Sequence, residues 1–194
     1  MITGLILAAG SSRRMERPKL VLPWAGGVPL ITHVVQVFLD AGASPVIVVT
    51  GADVDMVSKA LGEVQATKIF NPAHEEGEML SSIQVGLASL GPDVDAAAIC
   101  PGDLPYLQVG TVRALLARWR ERPSPILAPS FERRRGHPMI LAREEWPGVL
   151  ALEKGSSLRE FLRTRAEDIA YYVVADEGVV RDVDLPADYL PGAP

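Results

Sequence analysis

A chain of 194 residues with 48% hydrophobic and 22% charged residues has the size and balance of one folded unit with a sizeable core. Nineteen lysines and arginines stand against twenty-four aspartates and glutamates, a net charge of -5, which excludes a generally nucleic-acid-binding or anionic-membrane-binding surface and requires any anion to be held locally. The one cysteine, Cys100, excludes an internal disulfide and a cysteine cage for zinc; it fits a reducing compartment and, at the end of an apolar run, reads as a buried structural thiol.

The apolar run from Ile2 to Ala9 is too short for a signal peptide or a membrane span and has no basic segment before it, so the expected location is the cytoplasm. No internal repeat, low-complexity tract or long linker divides the chain, and the expectation is one domain over residues 1–190 with a tail over 191–194.

In chain order, "GLILAA" reads as a first strand and "PLITHVVQVFLDAG" as a helix, with Pro29 suited to its start and Gly42 to its end. "PVIVVTG" is a second strand, Asp53 to Leu61 a helix, "ATKIF" a third strand, Leu80 to Leu90 a helix, "AAAIC" a strand, Thr111 to Arg120 a helix and "PILAPS" a strand. Beyond Arg135 the pattern is less regular: "HPMIL" reads as a strand, "SSLREFLRTR" as a helix capped by Ser156 or Ser157, and "IAYYVVA" as a strand. Continuous rather than alternating hydrophobicity in the five earlier strands predicts burial on both faces. The alternation of elements predicts an α/β fold of three layers, a Rossmann-like, mostly parallel sheet with helices on both faces. In such folds ligands sit outside the carboxyl ends of the strands, so the loops there are where chemistry is to be sought.

The first such loop, Ala8, Ala9, Gly10, Ser11 and Ser12, has almost no side-chain bulk, so backbone amides can wrap an anion closely. Arg13, Arg14, Arg17 and Lys19 follow within seven positions and supply charge-assisted donors. Two readings stand, a polyphosphate cradle or a small-residue turn before a solvated basic helix. Neither the Walker spacing nor the G-x-G-x-x-G fingerprint is present.

In "ICPGDLPYL", Asp103 lies just past the strand ending at Cys100, either as an oxygen ligand suited to magnesium or as a turn-stabilising acid. In "NPAHEEGEMLSSIQVGL", Ser81 and Ser82 cap or decorate a helix, or reach a ligand. In "RRRGHPMIL", His137 is an anion contact or a structural histidine, and Arg133 to Arg135 form an anion patch or a solvated turn. Asp182 and Asp188 of "DVDLPADY" read as capping or surface acids.

Leu7, Ala8, Ala9, Gly10, Ser12, Arg14, Met15 and Lys19 match the signature L-A-A-G-x-S-x-R-M-G-x-x-K, with Glu16 in place of its second glycine. On these residues the chain resembles the nucleotidyltransferases of the nucleotide-diphospho-sugar transferase fold, and within them the MobA-like NTP transferases, above all the molybdenum cofactor cytidylyltransferases. "GDLP", "DVDLPADY", "GHPMI" and the segment with Asn71, Pro72, Gly77, Ser82, Gly86 and Leu87 resemble further family segments; "LEKGSSLREFL" departs from a late one at Glu153 and Ser156.

The resemblance implies Mg2+-dependent transfer of a nucleoside monophosphate to the phosphate of molybdopterin or its metal-loaded form, with release of pyrophosphate. It implies a nucleotide site of Leu7, Ala8, Ala9, Gly10, Ser11, Ser12, Arg13, Arg14, Lys19, Asn71 and Ser82, with catalytic roles for Arg14, Lys19 and Asp103. Asp103 and Asp184 would hold the metal, and His137 would face the acceptor. Ala9 gives the L-A-A-G form associated with cytidylyl transfer, so CTP is the expected donor. A molybdoenzyme, or a chaperone that loads one, is the implied partner, with no nucleic acid and no membrane. Two alternatives stay open: a sugar or polyol phosphate as acceptor, or a non-catalytic nucleotide- or cofactor-binding accessory protein.

Overall fold

The computed structural model describes residues 1–11, 15, 17–76 and 78–189. Among them, eight strands form one sheet: β1 (Ile2–Ala8), β2 (Val46–Thr50), β3 (Thr67–Phe70), β4 (Ala96–Pro101), β5 (Ile126–Phe131), β6 (Arg134–Arg135), β7 (Met139–Ala142) and β8 (Ile169–Val173). The order is β3-β2-β1-β4-β7-β5, with β5 also paired to the short β6 and to β8. Strands β3, β2, β1 and β4 run parallel to their neighbours, as do β5 and β8, whereas β7 is antiparallel to both β4 and β5.

The helices are α1 (Leu30–Asp40), α2 (Val54–Leu61), α3 (Glu78–Ala88), α4 (Val109–Glu121), α5 (Trp146–Leu150) and α6 (Leu158–Thr164). Alternate residues of β1 feed two separate cores, which is why its run of apolar residues is continuous. Ile2, Ile6 and Ala8 pack with buried residues of α1, α2 and α4, while Leu5 and Leu7 pack with those of α3, α5 and α6. The three-layer, mostly parallel architecture is thereby established.

Helix α1 shows burial overruling propensity. Ile31, Thr32, Val34, Val35 and Val37 are β-branched, which costs a helix up to roughly 0.7 kcal/mol per residue relative to Ala. Leu30, Ile31, Val34, Val35 and Phe38 are completely buried, and each such large side chain contributes about 1.5–3 kcal/mol, so packing wins. Pro29 takes the N-cap position, and Gly42 ends the helix in the left-handed region at φ 87°. At α6 the cap is Ser157: its hydroxyl accepts from the Glu160 amide while the Glu160 carboxylate accepts from the Ser157 amide.

One expectation is corrected. "ATKIF", grouped with the other strands, is expected to be buried on both faces, but among the described residues β3 pairs only with β2 at the sheet edge, and Phe70 at its end is 50% exposed.

The topology fixes where a ligand can enter. β1 lies between β2 and β4, and a crevice opens over the carboxyl ends of these parallel strands, bounded by the loop that leaves β1 and the turn that leaves β4. No helix among the described residues is long and apolar enough to cross a membrane.

Candidate active site

A cleft of about 510 Å³ lies at that crevice, within the roughly 300–1,000 Å³ usual for small-molecule sites. Leu7, Ala9, Gly10 and Ser11 line it from β1, Pro101 and Asp103 from β4, His74, Glu75, Met79 and Ser82 from the β3–α3 connection and α3 itself, and Asp184 from the final segment. Ala8 points instead into the core. Ser12, Arg13 and Arg14 lie outside the described residues.

The loops that bring these groups together are tied to β1. The Gly102 amide donates to the Leu7 carbonyl at 2.8 Å, which seats the turn carrying Asp103. Gly51 ends β2 directly against the loop after β1: a Cβ there would stand 2.6 Å from the Ala9 carbonyl oxygen and 2.7 Å from the His74 Cβ, so only glycine allows this approach.

On the β3 side, Asn71 is completely buried and its side chain works inside the protein. Its Nδ2 donates to Ser81 Oγ at 2.8 Å and Ser82 Oγ at 3.0 Å, and its Oδ1 accepts from the Ala73 amide at 2.9 Å. Asn71 thus reaches the cleft through Ser82, whose position at the start of α3 it fixes.

On the β4 side stands a charged cluster. Lys19 Nζ donates to Asp103 Oδ2 at 2.7 Å and to Asp184 Oδ1 at 2.8 Å. Burial works against the Lys19 ammonium, but the two carboxylates outweigh it and its pKa lies above the ordinary lysine value. Asp182 joins them: carboxylate oxygens of Asp103, Asp182 and Asp184 all lie within 4.8 Å of one another. Burial, then the charge of Asp103, pushes the Asp182 carboxyl above its ordinary range. Among the described residues, three carboxylates thus gather around the Lys19 ammonium and bring several oxygen ligands to one place.

The donor set fits magnesium or manganese, which take oxygen ligands and keep positions open for water and phosphate. A second observation agrees: Asp103 Oδ1 is buried with no hydrogen-bond partner, and a bare carboxylate oxygen there is costly unless a ligand reaches it.

Sequence reasoning missed Asp182. The available signal was the D-x-D spacing, since residues two apart in extended backbone project to the same side. Asp188 does act as a cap, its Oδ2 accepting from the Asp184 and Leu185 amides at 3.1 and 2.7 Å.

His137 does not line the cleft. Its amide donates to the Val179 carbonyl at 2.8 Å, and its Nδ1 lies 3.4 Å from the Ile99 carbonyl, beneath the Asp103 turn. Cys100 is completely buried, and burial, aided by Asp103, pushes its thiol well above the ordinary value, as a structural thiol requires.

Residues 4–169 match the MobA-like NTP transferase domain. The chain is 30% identical to the nicotine blue oxidoreductase of Paenarthrobacter nicotinovorans, over 94% of this chain and 92% of that one. It is 24% identical to the molybdenum cofactor cytidylyltransferase of Escherichia coli, over 96% of this chain and 92% of that one. Its fold is shared with Rv0371c of Mycobacterium tuberculosis, solved in complex with manganese, at a TM-score of 0.80 and 23% identity, covering 97% of this chain and 95% of that one.

Proposed function

The chain belongs to the MobA-like NTP transferase family, and from that premise we propose that it transfers CMP from CTP to the phosphate of a molybdopterin-type acceptor, releasing pyrophosphate. The observation that supports the reading is the convergence on one cleft of a small-residue loop, the Lys19 ammonium and the carboxylates of Asp103 and Asp184, with the Asp182 carboxylate beside them.

Two polyanions must be brought into line, so the work of the protein is positioning and charge neutralisation. The amides of Gly10 and Ser11, continued by Ser12 and Arg13, cradle the β and γ phosphates, while Leu7, Ala8 and Ala9 set the floor of the loop. Arg14 and Lys19 meet charge developing on the α-phosphoryl group and on the departing pyrophosphate. For this, Lys19 exchanges a carboxylate partner for phosphate. Ser82, held by Asn71, faces the nucleobase. A magnesium ion held by Asp103, Asp184 and Asp182 would supply charge neutralisation to the phosphate oxygens.

The acceptor needs no general base, because a phosphate monoester has its second pKa at about 6 and is a dianion near neutral pH. One acceptor oxygen forms a bond to the α-phosphorus as the bond from that phosphorus to the bridging oxygen breaks, and pyrophosphate leaves with the electron pair. His137, outside the cleft, bears on the acceptor side only through β4, its Nδ1 lying 3.4 Å from the carbonyl of Ile99 in the strand that leads to Asp103. A cytoplasmic molybdoenzyme, or its chaperone, receives the product.

The test is pyrophosphate release from each of the four NTPs with molybdopterin and magnesium, with the product identified by mass. Release with CTP supports the reading, release with GTP reassigns the base, and release only with a sugar or polyol phosphate reassigns the acceptor. A second reading is favoured by the 30% identity to nicotine blue oxidoreductase: the cleft would then hold a redox nucleotide. Transfer of two electrons from a reduced nicotinamide or flavin nucleotide to an added oxidised dye, without pyrophosphate release, distinguishes it.

A further inference from the structure

The final described segment, from Arg181 to Tyr189, supplies two of the three clustered carboxylates, yet its regular structure is a single 3-10 turn, Pro186–Asp188. Carboxylates on extended chain keep a common focus only if that chain is fastened. The fastenings are specific. The Val183 amide donates to the Asp103 carbonyl at 2.9 Å, and the Val183 side chain is completely buried. Asp188 caps the Asp184 and Leu185 amides, the Tyr106 hydroxyl donates to the Asp188 carbonyl at 3.3 Å, and the Tyr189 hydroxyl donates to the Pro23 carbonyl.

A row of rings runs through the same region. The Arg181 guanidinium lies 3.7 Å over the Tyr106 ring; Tyr106 meets Trp24 edge-on at 5.0 Å; Trp24 lies 6.0 Å from Tyr189; and the Arg17 guanidinium lies 5.6 Å from the Tyr189 ring. The row begins at the residue before Asp182, passes through Tyr106, three residues after Asp103, and ends two residues before Lys19. Every member of the charged cluster therefore lies within three residues of a member of the row.

We propose that this row is a positioning device for cation binding: the docking of Tyr189 against Trp24 holds Asp182 and Asp184 against Asp103, and so sets the affinity of the cleft for a divalent cation. The inference rests on reading the three carboxylates as a cation site. Tyr189 and Trp24 are positioning residues, acting through the backbone between Asp182 and Tyr189. Tyr189 is half-buried at the end of the described chain and packs against the outside of the core, not within it.

The test is titration of the full-length protein with Mn2+, free ion being followed by electron paramagnetic resonance, for wild type, Tyr189→Ala, Tyr189→Phe and Asp188→Ala, with circular dichroism to confirm folding. Tyr189→Ala and Asp188→Ala are expected to bind Mn2+ about 10- to 100-fold more weakly, as when an outer-shell support is lost. Tyr189→Phe keeps the ring contacts and restores affinity to within about threefold of wild type. Folded Tyr189→Ala with wild-type Mn2+ affinity overturns the proposal; should that variant not fold, unchanged affinity in Asp188→Ala does so. Failure of the wild type itself to bind Mn2+ overturns the cation-site reading beneath it.

Discussion

Lys19 Nζ lies 2.7 Å from Asp103 Oδ2, although 84 residues separate the two in the chain. The loop after β1 and the turn after β4 meet at this ion pair, over the carboxyl ends of two paired parallel strands that line the cleft. Since a second carboxylate, Asp184, shares the same ammonium at 2.8 Å, Lys19 occupies the focus of the negative charge.

Removing that ammonium separates two roles. Lys19→Met is predicted to lower the rate of pyrophosphate release about 100-fold or more, the scale on which loss of one charge-stabilising donor acts. Mn2+ affinity is predicted not to fall, because the ammonium competes for the same carboxylate oxygens. Steady-state rates and Mn2+ titration on one preparation check both halves. A parallel loss of affinity would make Lys19 a support for the carboxylates instead.

Among the carboxylates, Asp182→Asn is predicted to weaken Mn2+ binding about tenfold, and Asp103→Asn by more. The difference follows from burial: Asp182 is exposed, whereas Asp103 Oδ1 is buried without a partner. Calorimetric titration of the two variants gives the ranking, and equal losses would contradict it.

Asn71→Ala removes three hydrogen bonds from a completely buried side chain and leaves the Ala73 amide without its acceptor. A destabilisation of about 2–4 kcal/mol is expected. A chain of this size loses roughly 2–4 °C in Tm per kcal/mol. NTP affinity falls as well, since Ser82 loses its anchor. A drop in Tm with unchanged NTP affinity would show that Ser82 does not read the ligand.

Stability should also depend on pH through His137. Burial holds its pKa below the ordinary 6.5, and Arg135 adds to the effect, against the opposing pull of the Ile99 carbonyl and Asp103. The unfolded chain therefore binds this proton more readily than the folded one. Stability is complete above about 6.5 and declines as the pH falls through that value toward the folded pKa. Urea unfolding across this range should show the decline in wild type and a flatter profile in His137→Asn, whose amide retains a donor for the Ile99 carbonyl. Equal slopes in the two proteins would remove His137 as the cause.

Much of the fold was legible because two-sided burial leaves a direct mark: β1, β2, β4 and β5 are continuous apolar runs between turn residues. Direction and edge position leave no such mark. Nothing in "HPMIL" says that β7 runs antiparallel between β4 and β5, and in "ATKIF" only Lys68, a charge suited to an exposed strand, hints that β3 is an edge. In the site, Lys19 and Asp103 were legible as charges in loops after strands, where this architecture puts ligands. Asp182 was not, since its membership depends on how an irregular segment is fastened by Val183, Asp188 and Tyr189. Asn71 was legible as a polar residue at a strand end, but only its complete burial reveals that its side chain supports Ser82.

The central claim is that Lys19 and the three carboxylates serve cation-dependent nucleotidyl transfer. The most direct measurement is pyrophosphate release from CTP with molybdopterin, with and without Mg2+, in wild type and Asp103→Asn. The account predicts release that requires Mg2+ in wild type and falls about 100-fold or more in Asp103→Asn, as expected for loss of a group that organises transition-state charge. Release that is indifferent to Mg2+, or that persists at the wild-type rate in Asp103→Asn, would contradict it.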